Sequence, residues 1–108
     1  MAYYMVQAAY TADAIAAMVK KPEDRAAAIA PVVEKLGGKL VGMWFCFGEY
    51  DVVGISEMPD NISAAAFAFA IGQGGKLRAS KTTPLMTGAE IVKALKKAGG
   101  AGYRPPGA

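Results

Sequence analysis

The stretch FCFGEYDVV, Phe45 to Val53, sets a phenol at Tyr50 beside a carboxylate at Asp51 within otherwise apolar strands. Lys81 in SKTT adds a cation to a later strand, and Trp44 adds an aromatic wall next to the first stretch. A few directed polar groups among apolar ones is the usual form of a small-molecule site. These four residues are therefore the candidate ligand contacts, for a small, partly apolar or anionic ligand. Asp51 would act as acid or base, or as acceptor, and Tyr50 as hydroxyl donor. The same residues also suit a purely architectural role. Phe47 and Tyr50 would form a cross-strand aromatic pair worth about 0.2–1 kcal/mol, and Asp51 would accept backbone N–H groups at the strand end. Cys46 is a poor nucleophile, because a neighbouring carboxylate opposes the thiolate.

Several chemistries are excluded or disfavoured. The chain has no histidine, so the usual general base, haem ligand and zinc ligand are missing together. GQGGK, Gly72 to Lys76, resembles a phosphate loop only superficially. Ala70 stands where the first glycine belongs, and Leu77 where serine or threonine belongs. No cofactor is implied. Residues 1–54 carry five basic and six acidic side chains, and residues 55–108 carry seven and three. That tilt suits an anionic partner, but the basic groups lack interleaved aromatics, so nucleic acid is not expected.

One cysteine cannot make an internal disulfide, which fits a reducing compartment. No charged and apolar leader opens the chain. The longest apolar run, Ala64 to Ile71, is less than half of the ~20 residues a membrane span needs. A soluble, cytoplasmic protein with no membrane partner is expected.

The periodicities give the positioning elements. Tyr3 to Tyr10 reads as a first strand. Thr11 caps a helix with Ile15, Met18 and Val19 on one face. Pro22 opens a second helical stretch that Gly37-Gly38 ends. Lys39 to Phe47 and Tyr50 to Met58 read as strands joined by Gly48-Glu49, a two-residue loop of type II′. That register pairs Phe45 with Val52, Trp44 with Val53 and Met43 with Gly54, and it places Leu40 and Trp44 on one face. PDN, Pro59 to Asn61, caps a helix from Ile62 to about Gln73. A fourth strand spans Lys76 to Met86, and a last helix Gly88 to Ala98. The fold class is α+β, a ferredoxin-like βαββαβ domain over residues 1–98. Its four-stranded antiparallel sheet has order 4-1-3-2, and a flexible tail covers residues 99–108.

Leu40 to Phe47 has no polar side chain, and between Ile62 and Ile71 only Ser63 is polar. Phe67 and Phe69 point about 200° apart on a helix. Such a chain leaves apolar surface over, so self-association is expected. Either the second face of the sheet or the outer side of helix 62–71 would be covered.

The residues FGEYDVV, PDN, RASKTTPLMT and PEDR together resemble the GYD domain family, over about Tyr4 to Leu95. Gly48, Tyr50 and Asp51 with Lys81-Thr82-Thr83 carry the resemblance most specifically, with Glu49 between the glycine and the Tyr-Asp pair. The resemblance implies a ferredoxin-like, oligomeric bacterial protein and no particular activity. Three function classes remain open: a homo-oligomeric small-molecule-binding or assembly protein without catalysis, a cofactor-independent enzyme of the dimeric α+β barrel type, and a regulatory subunit that docks a partner.

Overall fold

Thr11, Asp60 and Thr87 each turn the chain from extended backbone into a helix, their side chains accepting N–H groups of the first turn. The computed structural model describes residues 1–107. Its elements are β1 (Ala2–Tyr10), α1 (Ala12–Lys20), α2 (Arg25–Lys35), β2 (Lys39–Phe45), β3 (Val52–Met58), α3 (Asn61–Gly72), β4 (Leu77–Leu85) and α4 (Gly88–Gly99). The strands form one sheet of order β2-β3-β1-β4, every neighbouring pair antiparallel. This is the ferredoxin-like α+β arrangement read from the sequence, with a C-terminal helix added. No helix among the described residues is long and apolar enough to cross a membrane.

The second helical region begins later than its proline suggests. Asp24 caps α2, its carboxylate accepting the Ala26 N–H at 3.0 Å, so Pro22 falls in the link after α1. Pro31 stays inside α2, which runs on to Lys35.

Two details of the β2–β3 hairpin also differ from the sequence reading. Phe45–Val52, Trp44–Val53 and Met43–Gly54 pair as expected, but regular pairing stops there. The connection is Cys46 to Asp51, six residues rather than two. Asp51 explains the early exit. Its N–H donates to Ala8 O at 2.9 Å, its carbonyl accepts the Cys46 N–H at 2.8 Å, and its carboxylate accepts the Tyr10 N–H at 2.8 Å. The residue is tied to β1, and the loop must follow. Gly48 keeps the positive φ expected of it, at 129°. The second difference is a register shift between Leu40 and Gly42 that leaves Val41 unpaired. This bulge turns Leu40 to the same side as Met43, away from the Trp44 face where strict alternation put it.

The core is small and lies between α2, α3 and one sheet face. Tyr4, Val33, Met58, Ala64 and Phe67 form it, with Ile29, Leu36 and Ile71 packed at its edge. The Tyr4 hydroxyl donates to Asn61 Oδ1 at 2.5 Å, fixing the start of α3 over β1. The other side of α3 is bare: Ile62 is 82% and Phe69 76% exposed. The radius of gyration, 17.5 Å, well exceeds the ~13 Å of a compact chain of this length. The helix α4 and the exposed residues after it contribute to the excess, for none of them is buried and α4 packs extensively on no other element.

Candidate functional site

Small residues leave a space beside this core. On the helix-side face of the sheet, Ala8 and Gly54 stand between larger neighbours, and α2 and α3 present Ala28 and Ala70 opposite. The result is a cavity of about 490 Å³. Val6 and Val52 form its floor, Ile29 and Val32 one wall, and Phe67 and Ile71 the other. Its polar groups gather where β1 ends and β4 begins: Tyr10, Arg25, Gln73 and Lys76. A further hydroxyl, Ser56, lines the far end and is itself 3% exposed.

The cations at the mouth hold loose partners. Arg25 Nη1 lies 2.8 Å from Glu23 Oε1, and Lys76 Nζ lies 2.8 Å from Asp13 Oδ2. Both pairs are solvent-accessible, and pairs of that kind contribute about 0–1 kcal/mol. An incoming anion would compete readily for either cation. The Asp13 carboxyl is held below its ordinary value mainly by the hydrogen bond from Lys76, with Thr11 helping.

Burial pushes the Tyr10 phenol above its ordinary value, against the pull of the adjacent Arg25 guanidinium, while the Asp51 charge adds to the rise. Tyr10 is therefore a neutral hydrogen-bonding group near pH 7, not a base. The sign of its linkage is definite. The folded chain keeps a proton that the unfolded chain releases near pH 10, so Tyr10 stabilises the fold below that pH and ceases to as the pH climbs through its raised value. Tyr3, raised chiefly by the neighbouring Glu57 carboxylate, acts in the same direction. Urea unfolding at pH 9 and 11 should show Tyr10→Phe losing less stability over that interval than the parent. An equal loss would mean that Tyr10 is not desolvated.

The four candidate residues read from the sequence do not line this cavity. Tyr50 and Asp51 stay together on the β2–β3 connection, where the Tyr50 carbonyl accepts the Cys46 thiol at 3.3 Å. Trp44 and Lys81 share one cross-strand row, Trp44–Val53–Gln7–Lys81, on the sheet face that carries no helix. They sit on opposite edge strands, so about 14 Å of sheet separates them. The Trp44 indole lies over Gly42, where an added Cβ would meet ring carbon Cη2 at 2.4 Å. Only Asp51 bears on the cavity, through Tyr10.

The sequence reading missed Tyr10, Arg25, Ser56 and Gln73. One signal pointed there. Val52, Gly54, Ser56 and Met58 share a strand face, and a glycine and a serine on the core side of an otherwise apolar strand mark space and polarity inside.

The family model of the GYD domain matches residues 4–95. No curated protein matches the chain in sequence. Among solved structures, the crystal structure of FFRP-DM1 is similar, with a TM-score of 0.51 and 13% identity, covering 80% of this chain and all 100% of that one. At that identity the likeness carries the fold alone.

Proposed function

The chain belongs to the GYD domain family, and from that premise we propose that it is a homo-oligomeric small-molecule-binding protein without catalysis, its ligand seated in the cavity between α2, α3 and the sheet. One observation carries the reading: a space of about 490 Å³ with apolar walls and its cations gathered at one end. That volume is within the range of small-molecule sites. The ligand is amphiphilic, its apolar body against Val52, Ile29 and Phe67 and its anionic end toward Arg25 and Lys76. Tyr10 and Gln73 supply neutral hydrogen bonds. Catalysis is left out because no carboxylate or thiol lines the space and Tyr10 is held protonated, so no base poised near neutral pH is in reach. Asp51 serves the site indirectly, by fixing the Tyr10 backbone. Trp44 and Lys81 belong in this reading to the surface between copies.

Native mass spectrometry of the purified protein reports stoichiometry and retained ligand together. For affinity, 8-anilinonaphthalene-1-sulfonate and decanoate serve as probes, each an anion on an apolar body. A hydrogen bond to a charged group contributes about 1.5–3 kcal/mol, so Arg25→Gln should weaken binding about tenfold or more. Ala70→Leu, which fills the space from α3, should abolish it. Lys93→Gln on α4 should leave it unchanged. If Arg25→Gln and Ala70→Leu both bind these probes like the parent, the cavity is not the site.

A further inference from the structure

The last helix is well made but buries none of its residues. Thr87 and Glu90 form a capping box, the Thr87 N–H donating to Glu90 Oε1 at 2.9 Å and the Glu90 N–H to Thr87 Oγ1 at 3.2 Å. Ile91, Val92 and Leu95 fall within about 100° of one another around the helix, and Lys93, Lys96 and Lys97 fall on the opposite side. This is the pattern of a helix with one face to bury. All three apolar residues are nevertheless exposed, Leu95 at 64%. An isolated helix of twelve residues is marginal in water. The stripe needs a surface, and the rest of its own chain does not supply one.

A matching surface lies on the sheet. The helix-free face carries Trp44, Val53, Ile55 and Met5, and the edge strand β2 adds the exposed Val41. Beyond Lys39 at its start, β2 and the residues up to Phe47 have no charge or proline, the usual devices that keep an edge strand from pairing with another molecule. An edge left so apolar is one that another surface covers.

We infer that α4 is an exchanged arm: its Ile91–Val92–Leu95 stripe packs on the Val41–Trp44 side of the open sheet face of a second copy, which returns its own α4 in the same way. The inference rests on the homo-oligomeric reading above and names the surfaces that build it. Areas favour it. The four strands, of nine, seven, seven and nine residues, give a face of about 500 Å² in projection, short of the about 800 Å² per partner that a stable interface buries. An arm about 18 Å long and 10 Å wide brings each chain's contribution to about 700 Å², before surface relief is counted. A two-residue link, Met86-Thr87, joins β4 to α4 and directs the arm outward.

The test uses the full chain with Cys46→Ser as background, so that no native thiol interferes. Leu95→Cys protein is mixed with Val41→Cys protein, and a disulfide between the two chains is expected on mild oxidation. The double variant Val41→Cys/Leu95→Cys should give linked dimers. A monomer closed by an internal disulfide would overturn the exchange and fold the arm onto its own sheet. The exposed Leu95→Asp should lower dimer affinity at least tenfold by native mass spectrometry. A dimer that ignores Leu95→Asp and yields no disulfide leaves the oligomer standing and removes the arm. A parent that stays monomeric at high micromolar concentration overturns both readings. So does a monomer whose α4 instead binds phosphatidylglycerol vesicles in a Leu95-dependent way.

Discussion

Phe67→Ala is expected to lower the stability of the domain by about 3–5 kcal/mol, with Tm falling by about 12 °C or more. Phe67 is 5% exposed and meets Tyr4, Val33, Met58 and Ala64 in the core. Its ring also separates this cluster from the cavity it lines. Truncation removes apolar surface from the core and merges the vacated volume with an existing space, so little collapse can repair the loss. A whole domain is stable by only about 5–15 kcal/mol, so the variant approaches the edge of folding. Phe69→Ala is the matched control. Two residues on, that ring is 76% exposed, and its loss should change monomer stability by less than about 0.5 kcal/mol. Urea denaturation of both variants decides the matter. Similar costs for the two would mean that α3 is rotated from the orientation described.

The contrast between these phenylalanines shows what the sequence could convey. That they face opposite ways followed from the helical period, and the caps at Thr11 and in PDN, Pro59 to Asn61, marked two helix starts. Strand order followed from the βαββαβ succession and right-handed crossovers, and the pairing of Phe45 with Val52 was legible because both flank one hairpin. Which phenylalanine faces inward was not legible, since from Ile62 to Ile71 the helix is apolar almost all round. The bulge at Val41 left no trace either, because in an all-apolar strand a shifted register hides no polar residue and exposes none. The hairpin length was misread for a different reason. Gly48-Glu49 satisfies a two-residue turn locally, but Asp51 is bound to Ala8 and Tyr10 of another strand, and a long-range partner outweighs a local turn preference.

The candidate site was less legible than the fold. Tyr50, Asp51, Lys81 and Trp44 were conspicuous as polar or aromatic groups within apolar strands. A cavity, however, is made by what is missing. Gly54, Ala8, Ala28 and Ala70 create the volume, and they are unremarkable one at a time. Arg25 and Lys76 reach its mouth from segments about fifty residues apart, and that approach depends on the angle between helix and sheet, which no local pattern encodes.

Gly38→Ala should cost about 3 kcal/mol, more than the change one residue earlier. The helix α2 ends in a Schellman motif, with the Gly37 N–H donating to Glu34 O at 2.9 Å and the Gly38 N–H to Val33 O at 3.0 Å. Gly37 sits at φ 87°, and an added Cβ would meet only Pro59 Cγ, at 3.5 Å, an ordinary van der Waals contact. Alanine there meets only the left-handed backbone penalty of about 1 kcal/mol. Gly38 has the opposite problem. A Cβ built on it would stand 2.4 Å from the Glu57 carbonyl oxygen and 2.4 Å from Met58 Sδ. Met58 and Val33 are the largest fully buried side chains, so the thioether has no free space to turn into, and the carbonyl belongs to the backbone of β3. Accommodation requires moving the end of α2 away from the sheet, which opens the core at Val33. Equilibrium unfolding of Gly37→Ala and Gly38→Ala separates the two effects. If Gly38→Ala is the milder variant, α2 does not dock on β3 as closely as the packing around Met58 requires.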